Sequence, residues 1–292
     1  MTACIRPLDP TELLPFLILR QAAGCKQAAL ARHLLEHGSV SAAARASPWP
    51  TLEYHVYAAQ RQCVALQTLG LHTVPVYSLP SFLRAARPLP AALFVRGNLQ
   101  LLAQLGLAIV GSRRASDSAV RWAQSQAFSW ASRGRAGGEG LIISGGAHGI
   151  DAAAHAGALQ AGGTTAAYLG SPIDSPYPAT NKPLFARMLA QGGALISEHP
   201  PYSATHAYHH AARNRFIAAH CQTLLVVEAA AHSGTLSTAA FARRLRRTVL
   251  VSPPGVGVQR AGIAKLVQEG HAAYALHTAP PAAGPMWQQK LF

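Results

Sequence analysis

Apolar positions in this chain follow two rhythms, and the change between them falls near residue 106. Across residues 10–70 they recur every three or four positions, in ELLPFLILRQA (12–22), KQAALARHLLEHG (26–38) and LEYHVYAAQRQCVALQTLG (52–70). That period predicts helices, with Gly24, Gly38 and Gly70 as stops and Pro48 and Pro50 breaking the middle. So small a helical bundle needs packing against something else. Residues 71–105 are transitional: LHTVPVY and ALFVRGN read as short strands around a Pro-rich stretch, and LQLLAQL as a short helix.

From Gly106 onward the apolar residues gather into runs of four to six: LAIVGS, LIISGG, TAAYLGS, ALISE, LLVVEA and TVLVSPPG. Each run ends in Gly, Ser, Glu or Pro, and Ala-rich helical stretches separate most of them. Near-continuous apolar strands alternating with helices predict a parallel sheet covered on both faces. The expected fold class is therefore α/β: a Rossmann-like, doubly wound, mostly parallel sheet with a small helical N-terminal domain. The boundaries read as 1–70 for the helical domain, 71–277 for the Rossmann-like domain and 278–292 for a flexible Pro- and Ala-rich tail.

Charge changes the picture more than composition does. Half of the 292 residues are hydrophobic, ample for a packed core. Lys and Arg number 25 against 11 Asp and Glu, an excess of 14, and Lys26 is the single Lys before residue 180. A basic balance dominated by guanidinium suits planar, bidentate contact with phosphates and points to a polyanionic partner. Cys4, Cys25, Cys63 and Cys221 stand far apart without a C-x-x-C pair or a His at metal-ligand spacing, so neither a disulfide framework nor a structural metal is expected. No signal peptide and no bilayer-spanning apolar run is visible, which predicts a cytoplasmic, soluble protein with no membrane partner.

In a parallel sheet the C-terminal strand ends share one edge, where ligands bind. That edge would gather Gly111-Ser112-Arg113, Ser144-Gly145-Gly146, Gly170-Ser171, Ser197-Glu198 and Ser233-Gly234-Thr235. Glycine lets backbone N–H groups approach an anion, and each following helix offers its N-terminal dipole. Any one loop is better explained as a helix cap or a turn. Several at one edge, with Arg113 among them, favour an anion site. Arg213-Asn214-Arg215, if it faces the rim, would clamp phosphates; otherwise it is a solvated helix face. Arg243-Arg244-Leu245-Arg246-Arg247 reads as a solvated face adding long-range attraction. Neither G-x-G-x-x-G after the first strand nor a P-loop is present, so no dinucleotide, nucleoside triphosphate or other cofactor is indicated. Asp151 and His155, one helical turn apart, make a weak metal pair without a third ligand, and Asp151 more plainly serves the start of its helix. G-x-S-x-G is absent, and no two carboxylates stand out for shared acid–base work, Glu198 and Glu228 at strand ends coming nearest to such a pair.

These residues resemble the DNA-processing protein A (DprA, or Smf) family. The likeness rests on LAIVGSRRAS (107–116), the segment LIISGGAHGIDAAAHAGALQAGGTTAAYLGSPIDSPYPATNKPLF (141–185), GGALISEHPP (192–201), ARNRFIAAHCQTLLVVEAAAHSGTLSTAAFA (212–242) and TVLVSPPG (248–255). With LPAALFVRGN and the helical segment it reaches to about His277, and the motifs in this order are highly specific. The resemblance implies a sterile-alpha-motif-like domain followed by an extended Rossmann domain, and a cytoplasmic protein that binds single-stranded DNA. It further implies protection of incoming DNA during natural transformation (competence), loading of RecA recombinase and a homodimer, with no catalysis. Carried over, the DNA-facing pocket falls on Gly111, Ser112, Arg113, Ser144, Gly145, Asn181, Lys182, Arg213, Asn214, Arg215, Ser233 and Gly234.

The chain departs from the family pattern at Tyr208-His209-His210-Ala211, where a Phe-Pro-like pair is usual, at Arg246-Arg247 and at Ala261-Gly262-Ile263. It is also expected to lack the winged helix that many members carry at the C-terminus. Gln288, Leu291 and Phe292 in Q-x-x-L-F resemble a peptide that docks on the polymerase sliding clamp, against the alternative of a tail folding back on the domain. Two other functions compete with the DNA reading. One is a phosphoribohydrolase of the lysine-decarboxylase-like group, whose P-G-G-x-G-T-x-x-E loop is matched here by EAAAHSGTLST without its Glu. The other is a sensor of free nucleotide.

Overall fold

In the computed structural model, residues 5–135 and 140–275 are described. The Q-x-x-L-F segment with Gln288, Leu291 and Phe292 lies outside them. The first helices are α1 (Pro10–Ala23), α2 (Gln27–His37), α3 (Val40–Arg45) and α4 (Glu53–Thr68). Asp9 starts α1 by accepting from the Thr11 and Glu12 amides at 2.8 and 3.1 Å, and Gly24 and Gly38 end α1 and α2 as their positions predict. The short α3 is additional to the three expected segments; Ser39 caps it, its Oγ accepting from the Ala42 amide at 3.2 Å.

Among the described residues nine strands form one sheet: β1 (His72–Pro75), β2 (Ala92–Gly97), β3 (Gly106–Val110), β4 (Ile142–Ser144), β5 (Thr165–Leu169), β6 (Ala194–Ser197), β7 (Cys221–Val226), β8 (Thr248–Val251) and β9 (Ala273–Tyr274). Their order is β1-β2-β6-β5-β4-β3-β7-β8-β9. The strands from β6 to β9 pair in parallel, whereas β2 pairs antiparallel with both β1 and β6. The chain therefore builds outward from β3 in one direction through β6, then returns to the other side of β3 at β7. That reversal is the switch point of a doubly wound sheet, where the crevice for a ligand opens. LQLLAQL, expected as a helix, forms only a short 3₁₀ turn over Leu99–Ala103.

Alternate strand residues point to opposite faces and enter different cores. Leu93, Val95, Ala108, Val110, Tyr168, Leu224 and Val226 pack on one face with helices α5 (Ser81–Arg84), α10 (Asn214–His220), α11 (Thr235–Arg244) and α12 (Ala261–Gln268). On the other face Leu107, Ile109 and Leu225 meet helices α6 (Asp117–Arg135) and α7 (Ile150–Gln160). The same side of β2, β5 and β6 presents Phe94, Leu169 and Leu195 to Phe16, Leu17, Leu30 and Leu34 of the N-terminal helices and to Phe185 and Met188 of α8 (Lys182–Ala190). The bundle thus completes its core on the sheet.

Two buried histidines, His155 and His220, and the half-buried His199 are held neutral. Thr165 Oγ1 donates to the Ile142 carbonyl at 2.9 Å, so at 2.7 Å it accepts from His155 Nδ1, which fixes that tautomer. Burial, and then the charge of Arg213, pushes His155 down to about 3. Burial takes His199 to about 3 and His220 to about 4. Unfolded imidazoles titrate near their ordinary 6.5, so the unfolded chain binds the extra protons. Stability is full above that value and is lost as pH falls toward 4. Urea unfolding should register a loss of about 2 kcal/mol per histidine between about pH 7.5 and about pH 5. A midpoint that stays level over that range would contradict the assignment.

Candidate nucleic-acid interface

At the switch point the ends of β3 and β7 are tied together. The Ser112 amide donates to the Glu228 carbonyl at 2.8 Å, and the Ile150 amide at the start of α7 donates to the Ser112 carbonyl at 3.2 Å. Gly111 permits this approach: a Cβ there would lie 2.5 Å from Ile150 Cγ1 and 3.1 Å from the Glu228 carbonyl oxygen. Above this knot opens a cleft of about 630 Å³. Its walls include Gly111, Ser112, Arg113, Asp151, His210, Arg213, Asn214, Ser233 and Gly234.

Arg213 stands at the base of this cleft. It is 8% exposed, its Nη2 lies 3.6 Å from the Asp151 carboxylate, and its Nε has no hydrogen-bond partner. Burial pulls its pKa down and Asp151 pulls it back up, while the nearby Arg113 charge lowers it further. Arg113 itself is exposed at the rim. Two like charges thus converge on one opening with a single buried carboxylate beside them, an arrangement that an anion would stabilise. His210 shares the opening; burial first, then Arg213 and Arg113, lower its pKa, so it stands neutral at neutral pH.

Gly145 makes room for the guanidinium. A Cβ at this position would lie 1.5 Å from Arg213 Nη1. A smaller pocket adjoins the cleft here, lined by Arg113, Gly145, His148, Tyr177, His210 and Arg213. On the opposite wall the Asn214 side chain donates to the Gly234 carbonyl at 3.3 Å and to Ser237 Oγ at 3.0 Å, holding the Ser233–Gly234 turn against α10.

The structure therefore brings together Gly111, Ser112, Arg113, Arg213, Asn214, Ser233 and Gly234, with Gly145 in the adjoining pocket. Four other expected site residues lie elsewhere or are engaged. Ser144 is fully buried and its hydroxyl donates to the Ile109 carbonyl at 2.6 Å, so it has no proton to offer the rim. Asn181 braces the loop after β4, donating to the Gly146 and Ala147 carbonyls at 3.0 and 3.3 Å. Lys182 is exposed at the first turn of α8 and lines neither pocket.

Arg215 corrects the expectation of a paired clamp. Its side chain is 3% exposed, and its guanidinium donates to Pro88 O at 3.0 Å, Ala212 O at 2.7 Å and Glu198 Oε2 at 2.6 Å. Three of its five N–H groups are thus engaged inside the protein, and Arg215 lines neither pocket. Burial pushes Arg20 of α1 down to about 10, with the Glu198 charge acting against it. Glu228 is engaged through one oxygen: it is 1% exposed, its Oε2 accepts from Ser116 Oγ at 2.7 Å and the Val258 amide at 3.0 Å, and its Oε1 has no hydrogen-bond partner. The two carboxylates thus have separate structural duties. Arg247, expected on a solvated face, is half-buried and donates to the Ala219 carbonyl at 3.0 Å.

Asp151 accepts from the Ala147 amide at 3.3 Å, just before α7, and pairs with Arg213 rather than with His155. Among the described residues the group able to offer three metal ligands is His33, Glu36 and His37 on α2, and none of the three lines the cleft. Sequence reasoning passed over Tyr177 and His210, whose rings lie 5.4 Å apart at the mouth. The Y-P-x-x-N run and the departure at 208–211 were the signals that could have marked them.

Residues 72–280 match the family described as DNA recombination-mediator protein A. The chain belongs to that family. Protein Smf of Escherichia coli (strain K12) is 40% identical over 188 residues, which cover 64% of this chain and 49% of Smf. The chain thus spans about half the length of that relative. The X-ray structure of DNA processing protein A from Streptococcus pneumoniae superposes with a TM-score of 0.69 at 26% identity, covering 92% of this chain and 95% of that one. The structure of the Helicobacter pylori protein, described by its single-stranded DNA binding mode, superposes with a TM-score of 0.59 at 25% identity, covering 70% and 90%. Several of the segments that carry the resemblance wall the cleft, from I-V-G-S-R at β3 to S-G-T before α11. Among the described residues no helix is long and apolar enough to cross a membrane.

Proposed function

We propose that this cleft holds the backbone of single-stranded DNA and that the protein is a recombination mediator rather than an enzyme. The observation that carries the reading is Arg213, a buried guanidinium with an unpartnered Nε, sharing its opening with Arg113. The single-stranded DNA binding of the Helicobacter pylori relative supports the same ligand. In the cleft Arg113 and Arg213 hold phosphates by charge-assisted bonds while the Ser233–Gly234 turn shapes the opposite wall. From family membership we extend the reading to protection of incoming DNA in the cytoplasm during natural transformation, loading of RecA, and action as a homodimer. Docking on the sliding clamp through Gln288, Leu291 and Phe292 is a separate proposal, tested by clamp pull-down with Leu291 and Phe292 removed.

Fluorescence anisotropy across salt tests the central claim. Single strands should bind more tightly than duplex, and log K should fall linearly with log salt between about 50 and about 200 mM, by about 0.7 per phosphate neutralised. Arg113→Ala should weaken binding to all sequences alike and reduce the slope by about 0.7. An unchanged slope would remove Arg113 from the interface. Incubation with AMP should release no free base; release would favour the phosphoribohydrolase reading instead.

A further inference from the structure

Five tyrosines are more than half exposed: Tyr54, Tyr57, Tyr177, Tyr202 and Tyr208 are 64%, 63%, 54%, 60% and 65% exposed. A ring that bulky is usually at least half covered, so five outward rings need a reason. Tyr202 has the sharpest. Its φ is +61°, the left-handed region that costs an aromatic residue backbone energy, yet the loop after β6 is held there from both sides. Gln62 of α4 donates to the Pro201 carbonyl at 3.0 Å, and the Tyr202 amide donates to Asp174 Oδ2 at 3.4 Å. The strained backbone presents the ring outward, with the Arg61 guanidinium 4.8 Å from its centroid. A cation over one face of an exposed ring leaves the other face for a nucleobase and keeps a charge at hand for its phosphate.

These rings connect to the cleft through a chain of contacts. Tyr177 sits at the cleft mouth beside His210. Its loop is bonded to the loop after β6, the Ile173 amide donating to the His199 carbonyl at 3.1 Å and Asp174 accepting from Tyr202. Arg61 carries the path onto α4, where Tyr57 and Tyr54 lie four and seven residues back on the same helical face. We infer that the single strand runs out of the cleft past Tyr177 and Tyr202 onto α4, its bases stacking on Tyr202 and Tyr57, so that the N-terminal helices form a second DNA-binding segment. The inference rests on the reading of the cleft given above. The phosphate cleft anchors the strand, and the tyrosine track sets how much of it is held.

Oligonucleotide length separates the two segments. With the full chain, a thymidine oligomer of about 6 nucleotides should occupy the cleft alone and one of about 24 should reach both segments, binding about 100-fold more tightly. Tyr57→Ala/Tyr202→Ala should bind the short oligomer as the wild type does and lose about tenfold per ring on the long one. Tyr57→Phe/Tyr202→Phe, which keeps the rings, should retain the long-oligomer affinity. The inference is overturned if the alanine pair binds the long oligomer normally, if both oligomers weaken equally, or if the protein's mass in solution changes instead, which would make the stripe a contact between copies. If the wild type binds neither oligomer, the cleft reading has failed and this one falls with it. If Arg113→Ala weakens both lengths while the tyrosine pair changes neither, the cleft stands and the track alone is wrong.

Discussion

Arg215→Ala should cost about 3 kcal/mol of unfolding free energy, measured by urea denaturation, while the molecules that remain folded bind single-stranded DNA with unchanged affinity. The side chain is 3% exposed, and removing it leaves Glu198 charged and three acceptors on the loop at Pro88, the end of α9 (Ala207–Ala212) and the end of β6 without their donor. Its guanidinium also lies 4.0 Å from the Phe216 ring centroid, so packing is lost together with charge. Glu198 is 20% exposed and Arg20 is close to it, which keeps the cost at the lower end for a broken buried pair. Arg215→Lys should fail to rescue, because an ammonium cannot reach three acceptors arranged for a planar fork. Arg215→Met combined with Glu198→Leu should be milder than Arg215→Ala, since no buried charge is then left alone. A large fall in DNA affinity with unchanged stability would place Arg215 back in the cleft.

The contrast between Arg215 and Arg213 shows where sequence reading stops. Both flank Asn214, both precede the same apolar FIAA segment, and composition gives them one meaning. Two residues along a helix differ by about 200° around its axis, so one guanidinium enters the cleft beside Asp151 and the other turns under the sheet edge to Glu198. Nothing local says which is which. Ser144 failed for a similar reason: a hydroxyl at a strand end can face the ligand or the neighbouring strand, and here it bonds Ile109.

What was legible followed from periodicity and from strand-end residues. The near-continuous apolar runs marked β3 to β8, because a strand buried on both faces must be apolar throughout. The glycines at 111 and 145 were readable as places of close approach, though not what approaches them. The edge strand β9 has two residues in an Ala-rich stretch and leaves no such trace. Tyr202 was silent too, since no period governs an irregular loop and its positive φ comes from Gln62 and Asp174, distant in sequence.

Gly145→Ala is the change that should abolish most DNA binding without touching a charge. The added methyl would sit 1.5 Å from Arg213 Nη1 and 1.9 Å from its Cζ, so the two cannot coexist. The obstacle is the far end of a flexible side chain, and the guanidinium can swing away while the backbone stays. The fold should therefore survive, with stability lowered by about 1–3 kcal/mol as Asp151 loses its cation. Affinity for single strands should fall about 10- to 100-fold, the value of the charge-assisted bonds that Arg213 makes in place. Arg213→Ala should fall by the same factor. The decisive measurement is the double variant: if Gly145 acts only by housing Arg213, then Gly145→Ala in the Arg213→Ala background should change affinity no further. Additive losses would mean instead that the Gly145 backbone meets the DNA directly, and that the glycine serves the phosphate rather than the arginine.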